Sequence, residues 1–341
     1  MTEKNAKHGS AGHCYRHLRG AALTLMLLLA ASAGAAAAQK ELEPVTIQLR
    51  WHTQFQFAGY YAALAKGFYR DAGYDVRLVE GAPGQSPIRE VLGGRAQFGT
   101  ANSELLYWRL QGKPLVALAV IGQHSPSVLV ARQDSGIRSP QDMVGKRVMM
   151  VRSGNASEDA DFIAMFRNEG ISPGEVDILD SSYDIDDLIS GKTDVFNAYL
   201  TNEPYYLEQR GIPVNVINPL TYGIDFYSDA LFTTEHQLQQ HPERVAAIRA
   251  ATLRGWRYAM AHPEEVVDLL LARFGADKSR EHLLYEAEAF RKLILPELIE
   301  IGHMNPGRWK HMADTLVQLG LAEAPDGSIW FTDASVRHDQ H

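Results

Sequence analysis

Cysteine is almost absent from this sequence. Of the 341 residues only Cys14 is a cysteine, and it lies in a leading segment that we expect to be removed. The remaining chain therefore has no thiol with which to form a disulfide. About 300 residues remain, which is enough to bury a stabilising hydrophobic core without cross-links.

Motifs that mark common enzyme classes are also missing. The stretch 81–87 (GAPGQSP) lacks the lysine of a phosphate-binding loop, and no serine nucleophile elbow and no CxxC pair occur. His236 and His241 are five residues apart in a polar stretch, which indicates exposed surface rather than a metal site. Asp184, Asp186 and Asp187 lack the glycine and closing glutamate of a calcium loop, so a solvated helix start is the better account. We expect no catalytic residue, no metal and no cofactor, and the absences favour binding.

The sequence has a single long apolar run, which lies near its beginning. Basic residues precede an apolar stretch from Ala21 to Ala31, and small residues continue to Ala38. This pattern predicts a secretory signal peptide over residues 1–38, cleaved after Ala38, and hence a periplasmic location. An uncleaved anchor is the alternative, although it needs about 20 apolar residues. No cysteine directly follows the run, so lipid attachment is not indicated.

Positive charge is scarce in the part that follows. Residues 1–38 carry four basic residues and one acidic residue, so without them the net charge is −11 rather than −8. Acidity of this size argues against nucleic acid or an anionic lipid surface as a partner. We expect a monomer whose partner is a small molecule.

Strand-like and helix-like segments alternate over most of the chain. Expected strands are Tyr74–Val79, Ala96–Gly99, Leu115–Ile121, Ser127–Ala131, Arg147–Val151, Val176–Leu179, Val195–Leu200, Val214–Ile217 and Ala230–Thr233. Expected helices between them include Ser103–Gln111, Ser157–Glu169 and Glu203–Arg210, each followed by glycine. The alternation predicts an α/β fold with a mostly parallel sheet. The last hundred residues instead read as helices only, at Pro242–Ala261, Pro263–Phe274, Arg280–Leu295 and Arg308–Leu319.

Polar and aromatic side chains gather where several expected strands end. The densest cluster follows the strand that begins at Val45, and it runs straight into a predicted amphipathic helix that extends to Phe68. In open α/β sheets ligands bind beyond the carboxyl ends of strands, near helix N-termini. We therefore predict one cleft for a flat polar ligand. Its candidate residues are Trp51, His52, Gln54, Phe57, Tyr60, Asn102, Ser103, Ser153, Asn155, Asn202, Glu203, Tyr222 and Asp225.

The stretches WHTQFQFAGYYAALAKGFYRDAGYDV, FGTANSELLYWRLQGKPLVALAVIGQHSPSVLVAR and NEPYYLEQRGIPVNVINPLTYGIDFYSDALFTTE resemble the NMT1/THI5-like family of periplasmic substrate-binding proteins. The resemblance covers nearly the whole mature chain. It implies a bilobal α/β fold of the type II kind, with C-terminal helices on the first lobe and two crossover strands, Ser127–Ala131 and Ala230–Thr233. The first lobe would comprise residues 45–126 and 230–333, the second residues 127–229, and a polar tail residues 334–341.

The resemblance also implies roles for single residues. Trp51 occupies the position of an aromatic that stacks on the ligand ring, with Phe57 or Tyr60 as a second ring. In the pyrimidine-making enzymes of the superfamily a reactive histidine lies six residues past this tryptophan, where this chain has Phe57. Glu203 matches a position that faces a ligand amino group, and Tyr222 and Asp225 match a Tyr-Gly-Ile-Asp stretch.

These features lead us to expect a protein that delivers a heterocyclic, pyrimidine-like ligand to the permease of an ABC importer in the inner membrane. A ligand sensor that signals through a separate membrane kinase or cyclic-dinucleotide enzyme is the alternative. A pyrimidine-making enzyme is a third reading, for which His52 is the candidate reactive group in the opening loop.

Overall fold

The computed structural model describes residues 41–151 and 159–323. The predicted signal peptide, Ser153, Asn155 and the predicted tail lie outside them. Within the described ranges there are ten strands: β1 Glu43–Gln48, β2 Tyr74–Val79, β3 Phe98–Ala101, β4 Leu115–Gly122, β5 Ser127–Arg132, β6 Arg147–Met150, β7 Asp177–Asp180, β8 Val195–Tyr199, β9 Val214–Ile217 and β10 Ser228–Thr234.

The strands form two separate five-stranded sheets, one for each lobe. The first sheet has the order β2-β1-β3-β10-β4, and the second has the order β7-β6-β8-β5-β9. Within them β1 pairs in parallel with β2 and β3, and β6 pairs in parallel with β7 and β8. This is the expected bilobal α/β architecture, and the prediction of the fold class is confirmed. The expectation of a mostly parallel sheet is wrong, because each sheet also contains two antiparallel pairings.

Helices cover the sheets and also form the C-terminal part of the chain. They are α1 Ala58–Ala65, α2 Phe68–Asp71, α3 Pro87–Leu92, α4 Glu104–Leu110, α5 Ala160–Asn168, α6 Asp186–Ile189, α7 Glu203–Gln209, α8 Glu235–Gln240, α9 Pro242–Ala261, α10 Pro263–Phe274, α11 Arg280–Ile294 and α12 Pro306–Gln318. Among the helices of residues 41–151 and 159–323, none is long and apolar enough to cross a membrane.

The chain passes between the sheets twice. It leaves the first sheet after β4, crosses through residues 123–126 and enters the second sheet as β5. It returns through residues 218–227 and re-enters the first sheet as β10. Both entering strands are antiparallel to their neighbours, since β10 lies between β3 and β4 and β5 lies between β8 and β9. In two-lobed proteins a few residues in such connections can absorb a hinge rotation.

The segment after the opening cluster differs from the amphipathic helix that the sequence predicts. A 3-10 turn over Phe55–Phe57 leads into α1, and Gly67, with a φ of 76°, separates α1 from α2. A left-handed residue cannot continue a right-handed helix, and glycine adopts this conformation without strain. The first six residues of α1 are all buried, because α9 covers the side that would otherwise face solvent.

Candidate functional site

A cavity of about 390 Å³ lies between the lobes, beyond the carboxyl ends of parallel strands of both sheets. Arg50 and Trp51 follow β1, Ser181 follows β7, and Tyr199 is the last residue of β8. Within each sheet the parallel strands end on the same edge. The groups that follow these edges in the two sheets line one cavity. From the first lobe the lining includes Trp51, His52, Gln54, Gln56 and Lys278, and from the second it includes Tyr183, Tyr199, Asn202, Glu203 and Tyr206.

Five of the candidate residues named from the sequence line this cavity. They are Trp51, His52, Gln54, Asn202 and Glu203. Asn102 lies one contact behind the wall: its side-chain amide donates to the Tyr199 hydroxyl, and its side-chain oxygen accepts from the Asp229 N–H at 3.0 Å. Ser103 is buried, and its neighbour Glu104 lines the cavity instead.

Phe57 and Tyr60 lie in the core of the first lobe rather than on the cavity wall. Both are at most 1% exposed, and the Tyr60 ring meets the Trp256 ring of α9 edge-on with centroids 6.1 Å apart. Burial raises the pKa of Tyr60 well above its ordinary value. The turn at residues 55–57 directs both rings toward the packed helices, so neither is placed to stack on a ligand beside Trp51.

Tyr222 and Asp225 lie in the second crossover segment and do not contribute to the lining of this cavity. The Asp225 carboxylate is 2.7 Å from His124 Nδ1 in the first crossover segment and 2.7 Å from Arg308 Nη2 at the start of α12. The Tyr222 carbonyl accepts from the Asn168 side-chain amide at 2.9 Å. Asp225 thus joins the two crossover segments to the C-terminal helix.

Tyr183 is a cavity residue that sequence reasoning missed. It lies in the loop after β7 with a φ of 59°, a left-handed conformation that is uncommon for a residue with a side chain. Its ring centroid is 5.2 Å from that of Trp51, at an interplanar angle of 36°. The position of Tyr183 just past a strand end could have marked it as a site residue. The aspartates that follow it were instead interpreted as the start of a solvated helix.

A chain of hydrogen bonds forms the polar side of the cavity. Gln54 Nε2 donates to Gln56 Oε1 at 2.6 Å, and Gln56 Nε2 donates to Asp229 Oδ1 at 2.7 Å. Through Asn102 the chain reaches the Tyr199 hydroxyl of the second lobe. Connected polar groups in a buried place hold one another in a single arrangement. The amide and hydroxyl groups facing the cavity are therefore preorganised donors and acceptors.

Arg50 adds a positive charge at the same place. Its guanidinium donates to the Tyr199 hydroxyl, and its carbon atom Cζ is 5.5 Å from the centre of the Tyr199 ring. Burial raises the pKa of the Asp229 carboxyl, while the nearby Arg50 charge acts in the opposite direction. Burial likewise raises the pKa of Asp161 to about 6, although Ser125 donates to this carboxyl at 3.1 Å.

Glu203 faces the cavity, but its carboxyl oxygens already accept hydrogen bonds from the protein. Oε2 accepts from the Tyr199 N–H at 2.7 Å, and Oε1 accepts from Asn202 Nδ2 at 2.6 Å. Burial raises the pKa of Glu203, and Lys278 counteracts that effect through its charge. Each carboxylate oxygen can accept more than one hydrogen bond, so contact with a ligand amino group stays a prediction.

The acidic and histidine side chains that the structure describes do not form a metal site. In the described ranges 41–151 and 159–323, no group of three or more His, Cys, Asp or Glu side chains could hold a metal ion. What the cavity does offer is two aromatic faces, amide groups, hydroxyl groups and charges of both signs. This combination suits a small organic molecule with a flat ring and polar edges.

Comparison with known proteins gives matches in sequence and in structure. The family model described as NMT1/THI5 like matches residues 54–266. The riboflavin-binding protein RibY of Chloroflexus aurantiacus is 26% identical over 296 residues, which is 84% of each chain. The formylaminopyrimidine-binding protein of Halalkalibacterium halodurans is 24% identical over 263 residues, which is 76% of this chain and 78% of that protein.

A solved structure shows the same fold. The periplasmic aliphatic sulphonate binding protein SsuA of Escherichia coli has a TM-score of 0.63 at 14% identity, covering 83% of this chain and 94% of the other. An enzyme is also among the sequence relatives. The 4-amino-5-hydroxymethyl-2-methylpyrimidine phosphate synthase of Legionella pneumophila is 25% identical over 232 residues, which is 66% of this chain and 72% of that protein.

Proposed function

The chain belongs to the NMT1/THI5-like family, and we propose that it is an extracytoplasmic solute-binding protein that captures an aminopyrimidine-like heterocycle for the permease of an ABC importer. The relatives named for binding riboflavin and a formylaminopyrimidine support a heterocyclic ligand. The leading segment that reads as a signal peptide supports a location outside the cytoplasm.

The pairing of Trp51 with Tyr183 carries this proposal. The two rings come from opposite lobes and lie 5.2 Å apart at the edge of the cavity, which is too close for a third ring to stand between them. A flat ligand would therefore enter when the lobes part, and closure would press one aromatic face on each of its sides. Trp51 packs against the core of the first lobe, so its ring would move with that lobe.

The polar edges of the ligand would then meet the preorganised groups of the cavity. Gln54 and Asn202 present amide groups from the two lobes, and Tyr199 presents a hydroxyl. Ring nitrogens and an exocyclic amino group of an aminopyrimidine match such donors and acceptors. The ligand favours the closed form only to the extent that it binds that form more tightly.

The size of the cavity favours a single substituted ring. Small-molecule sites usually span roughly 300–1,000 Å³, and about 390 Å³ lies near the small end of that range. A monocyclic pyrimidine needs less space than the three fused rings and sugar-alcohol chain of riboflavin. We therefore place an aminopyrimidine ahead of a flavin.

Binding without catalysis is part of the proposal. In the related enzymes the resemblance implies a reactive histidine six residues past the tryptophan, and the corresponding residue here is Phe57, which is buried in the core. His52 lines the cavity with about half of its side chain exposed, and its Nδ1 lies 3.9 Å from Glu80. Because His52 lies at the rim and faces solvent, it suits contact with a ligand better than a reaction that must be shielded from water.

Calorimetric titration of the purified mature protein tests the proposal. The probes are 4-amino-5-hydroxymethyl-2-methylpyrimidine, riboflavin and an alkanesulfonate. We expect the pyrimidine to bind tightest and to raise the free energy of unfolding by about 2.7 kcal/mol at a hundredfold excess over its Kd. Tighter binding of riboflavin or the sulfonate would overturn the ligand class. Chemical conversion of any probe would overturn the assignment as a binder.

A further inference from the structure

Lys278 occupies an unusual place at the wall of the cavity. It precedes α11 among the C-terminal helices of the first lobe, outside residues 54–266 that the family model matches. Its side chain is only 9% exposed. The ammonium group donates to Gln54 Oε1 at 2.6 Å in the same lobe, to Asn202 Oδ1 at 2.5 Å in the opposite lobe, and to Glu286 Oε1.

Three acceptors match the three N–H donors of an ammonium group. With these bonds in place Lys278 has no donor left for a ligand, although it borders the cavity. Its hydrogen bonds instead connect the amide of Gln54, which faces the ligand space, to Asn202 on the other side of the cleft. The bond from Lys278 to Asn202 is the one of the three that opening of the lobes must break.

Glu286 explains why a cation holds this position. The Glu286 side chain is 1% exposed, and its second oxygen accepts from the Phe55 N–H at 2.8 Å. A buried carboxylate needs a paired charge, and Lys278 provides it. Lys278 is thereby anchored in the first lobe by Glu286, with its remaining donors directed at Gln54 and Asn202.

Neighbouring contacts show that α11, which begins two residues after Lys278, forms a seam between the lobes. The His282 ring stacks on the Tyr205 ring of the second lobe, with centroids 4.3 Å apart and an interplanar angle of 20°. The Tyr285 hydroxyl donates to the Leu200 carbonyl at 3.2 Å. Lys278 thus stands where the seam meets the ligand cavity.

We propose that Lys278 is a positioning residue that couples occupation of the cavity to closure of the lobes, by holding Gln54 and Asn202 in one hydrogen-bonded set. The ligand identity rests on the proposed function, whereas the bridge itself is made of protein groups alone. A ligand that fixes the position of the Gln54 amide also fixes the Lys278 ammonium group, which is hydrogen-bonded to Asn202 of the opposite lobe. Loss of this bridge should shorten the residence time of a bound ligand, because the lobes then reopen more easily.

The test removes the cation without leaving a buried charge behind. In the double variant Lys278→Met with Glu286→Gln, both partners are neutral, which avoids the strong destabilisation caused by breaking a buried ion pair. A charge-assisted hydrogen bond of this kind corresponds to roughly a ten- to hundredfold change in affinity. We expect the dissociation rate of the pyrimidine probe to rise by that factor, with a smaller change in the association rate. Lys292→Met, which removes a mostly exposed lysine of α11, is the matched control.

A second variant removes the hydrogen-bond partner of Lys278 in the other lobe. Asn202→Ala removes the acceptor and leaves the ion pair intact, so it remains informative if the double variant fails to fold. We expect it to raise the dissociation rate as well, and we expect the combined loss to be smaller than the product of the two separate losses, because the bond from Lys278 to Asn202 is removed in both. Fully multiplicative losses would overturn the bridge.

Small-angle X-ray scattering without ligand separates this inference from the proposed function. We expect a larger radius of gyration for the double variant and for Asn202→Ala than for the wild type and Lys292→Met. Equal radii for all four proteins, together with unchanged dissociation rates, would overturn the role of Lys278. If the wild type binds no probe, the proposed ligand fails, and the scattering comparison alone decides on the bridge.

Discussion

The indole ring of Trp51 and the phenol ring of Tyr183 face each other across the cleft, with centroids 5.2 Å apart. One residue follows the first strand of the first sheet, and the other follows a strand of the second sheet. Tyr183 lies 132 positions after Trp51 in the chain. Their contact exists because both sheets direct the carboxyl ends of their strands at the same cavity.

Removal of either ring should weaken binding of the pyrimidine probe. We expect Trp51→Ala and Tyr183→Ala each to raise Kd by roughly ten- to hundredfold, since each loses stacking and buried apolar area. Tyr183→Phe keeps the ring, so its loss should be smaller than that of Tyr183→Ala. Calorimetric titration measures the affinities, and circular dichroism checks the fold. An unchanged Kd in Trp51→Ala would remove this ring from the site.

The contact between α1 and α9 should not tolerate a methyl group at Gly255. A Cβ atom there would lie 2.1 Å from the Gly59 carbonyl oxygen and 2.7 Å from the Ala63 Cβ. Because a backbone atom cannot yield as a flexible side chain does, we expect Gly255→Ala to lower the free energy of unfolding by at least about 2 kcal/mol.

Gly174→Ala is the control for that substitution, because a Cβ atom there meets nothing within 4 Å. Its effect should stay within about 0.5 kcal/mol. Urea denaturation of both variants measures the difference. Equal stability of the two variants would show that the helices can separate at little cost.

His282 should make stability depend on pH in the acid range. Burial, and next the charge of Lys278, lower the pKa of His282 to about 3. The unfolded chain takes up a proton near pH 6.5, whereas the folded chain keeps the ring neutral. The contribution of His282 to the free energy of unfolding is therefore fully present above pH 6.5 and falls by up to about 1.4 kcal/mol per pH unit toward pH 3.

The comparison with His282→Phe isolates this effect, because phenylalanine keeps a ring against Tyr205. Between pH 5 and 6.5 the wild type should lose stability more steeply than the variant in urea denaturation. The groups that face the imidazole are Lys278, Glu286, Tyr205, Tyr206 and Tyr285. Asp161, whose pKa is raised to about 6, acts with the opposite sign in both proteins and cancels in the comparison. Parallel curves would contradict the role of His282.

Asp225 should influence closure without influencing ligand choice. Its carboxylate joins His124 of one crossover segment to Arg308 of α12, outside the cavity lining. We expect Asp225→Asn to change the Kd of two differently substituted aminopyrimidines by the same factor, because the hinge is altered and the cavity is not. Gln54→Ala, which alters the cavity, should change the two values unequally. A change of preference in Asp225→Asn would restore this residue to the ligand site.

Local sequence signals predicted much of the secondary structure. The bounds Pro242–Ala261, Pro263–Phe274 and Tyr74–Val79 agree with the structure, because proline at a helix start and alternation along a strand act over a few residues. The same kind of reasoning identified Trp51 and Asn202, since both directly follow a strand. It failed for the helix expected to extend to Phe68, because the helix that covers this segment, α9, lies nearly 200 residues further along the chain.

The sequence alone determined the α/β character, the strand ends that offer polar and aromatic groups, and the resemblance to its family. Only the tertiary structure decided that Phe57 and Tyr60 turn into the core, that Asp225 serves the crossover segments, and that Tyr183 and Lys278 reach the cavity. The physical reason is that propensities and caps act between neighbours in the chain. Which side chains meet across a cleft depends instead on the packing of two sheets and the C-terminal helices, whose contacts join residues far apart in sequence.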